Sequence, residues 1–246
     1  MKKHWVRLVV CLAVAAVPAT QAFALDWHKL LASEETFLAE MGDRAVFVAP
    51  GVYEVRERGG IKVRVAFGAD GREFDRAWVE ADLLAGRALR DRSAQPSMQL
   101  EAHVRRLERL LENLQQAPES RAAVTGTVCG LSSFTYSLDG GLSSGQVFGK
   151  AKIGIWIDFY PPLPYYSDRY ADNFLVANRS GMCWEANGSD SFTGGGFGEA
   201  NSEAYLSCSG TSCLGWRSFN EVNAANCSGG YRSLLRTGGN TACTWP

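Results

Sequence analysis

The residues best suited to chemistry lie between Trp156 and Asp172, where aromatic rings alternate with carboxylates and prolines. Aromatic planes bind the apolar faces of sugars and peptide side chains, and nearby carboxylates accept hydrogen bonds from hydroxyl and amide groups. This combination predicts a surface that contacts a glycan or an extracellular protein. The predicted contact residues are Trp156, Asp158, Tyr160, Tyr165, Tyr166, Asp168 and Tyr170.

A second chemistry would use carboxylates from the same region. Glycoside hydrolysis of the two-carboxylate kind needs only two acids at the correct separation in a cleft. Spacing along loops fixes no such separation, so hydrolysis is an alternative to non-catalytic binding, and no catalytic residue is assigned. The acids that would supply the pair are Asp158, Asp168, Asp172, Glu185 and Asp190.

Histidine-dependent and metal-dependent chemistry are disfavoured by what the sequence lacks. Residues 117–246 contain no histidine, so a nucleophile there has no histidine base, and we expect His28 and His103 at surface or capping positions. The cysteines form no C-x-x-C pair, and Asp168 and Asp172 follow no calcium-loop pattern. We therefore expect neither a metal nor a cofactor.

The amino terminus predicts export. Basic residues precede an apolar run at residues 8–17, and a small-x-small site ends at Ala24, which is the pattern of a signal peptide over residues 1–24. The mature chain would then be secreted, periplasmic or at the cell surface, with no membrane span. Its 22 basic and 26 acidic residues disfavour a nucleic-acid partner.

Six cysteines remain after this cleavage. An even number in an exported chain indicates three disulfides, although the sequence leaves their pairing open. The cysteines are Cys129, Cys183, Cys208, Cys213, Cys227 and Cys243.

The contact residues begin on a strand whose two faces differ. Ala151, Ile153, Ile155, Ile157 and Phe159 alternate along the chain, so a strand places all five on one face, which we assign to the core. The other face then ends in an indole, a carboxylate and a phenol, and either solvent or a second sheet would cover it. The prolines that follow end the strand near residue 160.

Charge and cysteine content divide the mature chain into parts. Residues 25–95 predict a small α+β domain, with a helix, a three-stranded antiparallel meander and a second helix over residues 74–89. In this domain Lys62 and Arg64 are expected on a wet sheet face, and Asp75 near the start of the second helix. Residues 117–246 predict an all-β, disulfide-stabilised domain, either a sandwich or a roll.

An amphipathic helix over residues 96–116 connects these parts. Its apolar residues follow the alternation of a short coiled-coil seam, which favours either self-association or packing on its own domain. Self-association would suit a structural subunit of an extracellular assembly, a third functional alternative. The seam residues are Leu100, Val104, Leu107, Leu111 and Leu114.

Overall fold

The computed structural model describes residues 25–115, 133–156, 166–195, 198–208, 213–224 and 230–245. The helices are α1 (Trp27–Leu30), α2 (Glu34–Met41), α3 (Gly68–Arg92) and α4 (Met98–Gln115). The first strands are β1 (Val46–Ala49), β2 (Val52–Arg56), β3 (Lys62–Phe67), β4 (Ser133–Ser143) and β5 (Gln146–Trp156). The remaining strands are β6 (Tyr166–Arg179), β7 (Met182–Gly195), β8 (Glu199–Ser207), β9 (Cys213–Ala224) and β10 (Arg232–Gly239).

Seven strands form one antiparallel sheet in the order β1-β2-β3-β10-β9-β6-β7. The predicted meander forms its first three strands. Strand β3 then pairs with β10, from Lys62 opposite Thr237 to Phe67 opposite Arg232. Segments from both sides of the expected boundary at residue 117 therefore share a single sheet.

The other three strands, in the order β4-β5-β8, form a second antiparallel sheet that packs on one face of the first. Val147, Ala151 and Ile153 of β5 are buried in this contact, as the alternation predicts for the core face. Because β5 ends at Trp156, the predicted core residues Ile157 and Phe159 lie outside the described residues.

Helices α3 and α4 cover the opposite face of the seven-stranded sheet. The α4 seam packs on that sheet and on α3, with Leu107 fully buried beside Phe219 and Val79. Leu100, Val104 and Leu114 are also buried, and Leu111 is partly buried. The apolar stripe of α4 is therefore occupied within one chain, as expected when an amphipathic helix packs on its own domain.

Two polar residues lie elsewhere than expected. Arg64 does not face water: it donates to the carboxylate of Asp75 at 2.7 Å and stacks on Phe74 and Trp78. Helix α3 begins at Gly68 rather than at residue 74, which moves Asp75 from the helix start into the interface with the sheet. The physical reason is that α3 covers this face of the meander directly.

Three further segments differ from expectation. The glycine-rich stretch over residues 188–201 predicts a mobile loop between strands, but strands β7 and β8 extend into it. Residues 219–225 carry a weak helical pattern, but their described part belongs to β9. Strand β10 was not predicted.

The coarse prediction of a small helical part and a large antiparallel β region with disulfides is confirmed. Cys183 pairs with Cys243 and Cys208 with Cys213, whereas Cys129 and Cys227 lie outside the described residues. None of the helices described is both long enough and apolar enough to cross a membrane.

Candidate functional site

The predicted contact residues fall on two different sheets. Trp156 ends β5 of the three-stranded sheet, paired with Ser133. Tyr166, Asp168 and Tyr170 lie in β6 of the seven-stranded sheet. Asp158, Tyr160 and Tyr165 lie outside the described residues. Trp156 and Tyr166 therefore belong to different sheets.

Tyr170 lies on the helix-covered side of its sheet. It is two residues from Asp172, so both side chains leave β6 on the same face. Asp172 accepts a hydrogen bond from Asn113 of α4 at 2.9 Å, which identifies that face as the one beneath the helices. Tyr170 is half-buried there, opposite Asn223 of β9.

We define the outer face as the side of the three-stranded sheet that points away from the seven-stranded sheet. Across β4, β5 and β8 its rows include Asp139, Lys150 and Glu203, and then Ser137, Lys152 and Asn201. The next row places Gly154 between Thr135 and Glu199, and Trp156 lies two residues further along β5. In the described chain Lys150, Glu199 and Glu203 remain exposed to solvent.

Charges of both signs and one aromatic ring organise this face. Lys150 lies 3.4 Å from Glu203, and Lys152 lies 2.7 Å from Glu199. Tyr205 is 49% exposed, and its hydroxyl donates to Glu203 at 2.7 Å. The Lys150 ammonium lies 6.0 Å from the centre of the Tyr205 ring, at the outer limit of a cation–π contact.

The surroundings of Lys150 and Glu203 shift the pKa values of both groups. Its hydroxyl and Glu203 raise the pKa of Lys150, while hydrogen bonds from Tyr205 and Lys150 lower the pKa of Glu203. Both groups are therefore charged over the neutral range. An exposed aromatic ring between a fixed cation and a fixed anion suits a ligand that presents an apolar surface edged by hydroxyl or amide groups.

A second polar cluster lies beneath α3 and was not predicted. Asp75 of α3, Asp172 of β6 and Glu221 of β9 are all buried, and Asp172 lies directly opposite Glu221 in the sheet. We call Asp75, Asp172, Glu221, Tyr231 and Ser233 the buried acid cluster. In the sequence its acids resemble ordinary surface acids. Their burial becomes evident only from the way the helices pack on the seven-stranded sheet.

The hydroxyl of Tyr231 connects two of these acids. It lies 2.9 Å from Oδ2 of Asp75 and 3.1 Å from Oε2 of Glu221. Burial, together with repulsion from Asp172 and Asp75, raises the pKa of Glu221 well above its usual value. Burial also raises the pKa of Asp75, although Arg64, Ser233 and Tyr231 oppose that shift.

Asp172 also faces a small cavity. The cavity has a volume of about 210 Å³, lies between α4 and strands β6 and β7, and is lined in part by Arg109, Asn187 and Ser189. Burial raises the pKa of Asp172, opposed by hydrogen bonds from Ser189 and Asn113. Neutral donors therefore satisfy this buried acid.

The acids expected to supply a catalytic pair have separate partners where their side chains are described. Glu185 accepts from Arg106 and lies 2.9 Å from Nδ1 of His103, and Asp190 accepts from the amide of Asn201. Asp158 lies outside the described residues. Of the acids whose side chains are described, Asp172, Glu185 and Asp190 each contact different groups.

His103 is buried rather than at a surface or capping position. Its ring stacks on Trp245, with 4.2 Å between ring centres, and on Phe174 at 5.9 Å. A cavity of about 260 Å³ adjoins it, lined in part by Arg217, Asp82 and the Cys183–Cys243 disulfide. Helix α4 directs His103 at the sheet because the residue lies beside the apolar stripe.

The described residues contain no cluster of three or more histidine, cysteine, aspartate or glutamate side chains arranged to hold a metal ion. Compared with protein-family models, curated proteins and solved structures, the chain matches none. Any inference about function therefore depends on the side chains of the outer face and of the buried acid cluster.

Proposed function

We propose that this chain is an exported, non-catalytic binding or adhesion protein that recognises a surface glycan or an extracellular protein through the outer face. The observation that carries the proposal is the exposed group of Lys150, Glu203 and Tyr205 on the outer face, where Tyr205 pairs with Phe148, towards the opposite end of β5 from Trp156. Because Trp156 is an even number of residues from Lys150 and Lys152, the proposal places it on the same face of β5. The proposed contact set is Trp156, Asp158, Tyr160 and Tyr165, extended by Tyr205; the predicted contact residue Tyr166 begins β6 of the other sheet.

The two described disulfides support export, because such bonds persist in oxidising compartments. The proposal includes the finer fold assignments: a sandwich-like pairing of the two sheets, and a connecting helix whose self-association is secondary. Burial of the α4 seam within the chain favours the outer face over that helix as the recognition surface.

A glycan array probed with the chain from residue 25 onward tests the proposal. We expect a signal that Trp156→Ala and Tyr205→Ala each reduce at least about tenfold, since one aromatic anchor typically contributes 1 kcal/mol or more. Tyr205→Phe keeps the ring and should retain most of the signal. Leu214→Ala removes an exposed apolar side chain of β9 and is the matched control. Unchanged binding by both alanine variants would show that the outer face does not bind the glycan.

A glycan hydrolase is the second candidate, favoured by the opposed carboxyls of Asp172 and Glu221. Directly opposite residues in an antiparallel pair have Cβ atoms roughly 4.5–5.5 Å apart, and Asp172 reaches a cavity. Release of reducing sugar by the wild type, abolished in Glu221→Gln, would establish hydrolysis and replace the binding proposal. The binding proposal predicts no release from either protein.

A further inference from the structure

The edge of the seven-stranded sheet at β1 has an unusual composition. In the described chain β1 pairs only with β2, so the other side of its backbone has no partner strand. Val46 is 60% exposed, Phe47 63% and Val48 40%. Three consecutive apolar side chains therefore face solvent on an open edge.

Natural edge strands are usually blunted by charged side chains, proline or bulges, because an open edge templates pairing with another chain. Here the stretch from Ala45 to Gly51 carries no charge. One bulge lies between Phe47 and Ala49, and Pro50 follows the strand. These features shorten the edge but leave its apolar side chains uncovered.

We propose that β1 pairs antiparallel with β1 of a second copy of this chain, which extends the seven-stranded sheet across a two-fold axis. This edge belongs to the seven-stranded sheet, whereas the proposed function uses the outer face of the three-stranded sheet. Valine flanks Phe47 on both sides, so the strand reads V-F-V in either direction. A two-fold axis at Phe47 places the two phenylalanines opposite each other and each Val46 opposite the copy's Val48.

The charges that flank β1 do not oppose this pairing. In this register Asp43 and Arg44 of one copy lie opposite Gly51 and Pro50 of the other, so the paired stretch contains no like-charge contact. Self-complementary pairing across a two-fold axis is the usual geometry of homodimers. Because β1 is only four residues long, the interface is small, and the dimer should dissociate on dilution.

Sedimentation velocity of the chain from residue 25 onward, over a concentration series, tests this pairing. The wild type should shift from monomer to dimer with concentration, and the amides among residues 46–49 that point away from β2 should gain protection from hydrogen exchange over the same range. Phe47→Lys places two like charges opposite each other at the axis and should raise the dissociation constant at least about tenfold. Leu84→Lys, at an apolar position of α3 that is 65% exposed, is the matched control and should leave dimerisation unchanged.

Circular dichroism and the unfolding midpoint of Phe47→Lys establish that the variant folds. A wild type that stays monomeric at every concentration would overturn the proposal, whether or not amides 46–49 are protected. Protection in a monomer would show that a segment of the same chain covers the edge. A dimer that forms equally well with Phe47→Lys would also overturn it, because another surface would then mediate association.

Discussion

Tyr231 has a single hydroxyl proton but lies within hydrogen-bonding distance of both Asp75 and Glu221. Asp75 already accepts from Arg64 and Ser233, so it is the acid that the surrounding donors stabilise as an anion. If Tyr231 donates to Asp75, its contact with Glu221 requires a proton on the glutamate. Burial favours that protonated form, since it raises the pKa of Glu221 well above its usual value.

This arrangement predicts how stability depends on pH. A carboxyl whose pKa is raised by folding costs no stability below about pH 4.5, where it is protonated in both states. The cost appears as the pH rises towards and through the folded-state pKa. Glu221→Gln imitates the protonated acid and should therefore make the protein more stable than the wild type at pH 8, with little effect at pH 4.

Urea denaturation of wild type and Glu221→Gln at pH 4, 6 and 8 measures this difference. Asp91→Asn, which changes an exposed acid on α3, is the control and should show no comparable trend. A difference that does not vary with pH, or a variant less stable at pH 8, would contradict the assignment of a protonated Glu221.

At the scale of elements, regular alternation is what made β5 predictable. From Val147 to Ile153 its odd residues are buried, whereas Lys150 is exposed and Lys152 is partly exposed, so a period of two distinguishes the two faces. Strand β10 has no such period, because Leu234 and Leu235 are both buried, one on each face of the sheet. The pattern therefore gave no signal for a strand that lies at the centre of the fold.

The buried acid cluster was unpredictable for a related reason. Asp75 lies in a helix rich in acids and bases. Because α3 begins at Gly68, seven residues earlier, Asp75 lies within the helix on its sheet-facing side rather than at the helix start. Glu221 lies in a segment with a weak helical pattern. Their meeting depends on β9, β10 and α3 packing together across about 150 residues of chain, which local sequence does not encode.

Helix α4 provides a prediction at this scale. Because Leu107 is fully buried against the sheet, Leu107→Ala should lower the free energy of unfolding by roughly 2–5 kcal/mol. Leu111→Ala, at a partly buried position, should cost less. Urea denaturation measures both losses, and sedimentation should show unchanged self-association. A variant that loses association at little cost in stability would instead indicate an intermolecular seam.

For the whole molecule, the decisive contact is the pairing of β3 with β10. It joins the meander before the predicted boundary to strands from the far end of the chain, and α3 and α4 cover strands of both origins. Composition divides the chain near residue 117, whereas the sheet continues across that division. Long-range strand pairing of this kind cannot be read from local periodicity.

Cooperative unfolding should follow from this shared sheet. We expect calorimetry of the chain from residue 25 onward to give one transition whose calorimetric and van't Hoff enthalpies agree. A fragment of residues 25–115 should not fold stably, because β3 would lose its partner and α4 the sheet that buries its leucines. Two separate transitions, or a fragment with a sharp melting transition of its own, would support independent domains.

The central claim is that the outer face binds the ligand. Chemical-shift mapping by NMR, using the strongest ligand from the glycan array or a captured extracellular protein, tests that claim most directly. We predict that the largest amide shifts fall on residues 150–154 of β5 and 199–205 of β8, with small shifts in α4 and β9. Largest shifts around Asp172, Asn113 and Glu221, with residues 150–154 unmoved, would contradict the account and direct attention to the buried acid cluster.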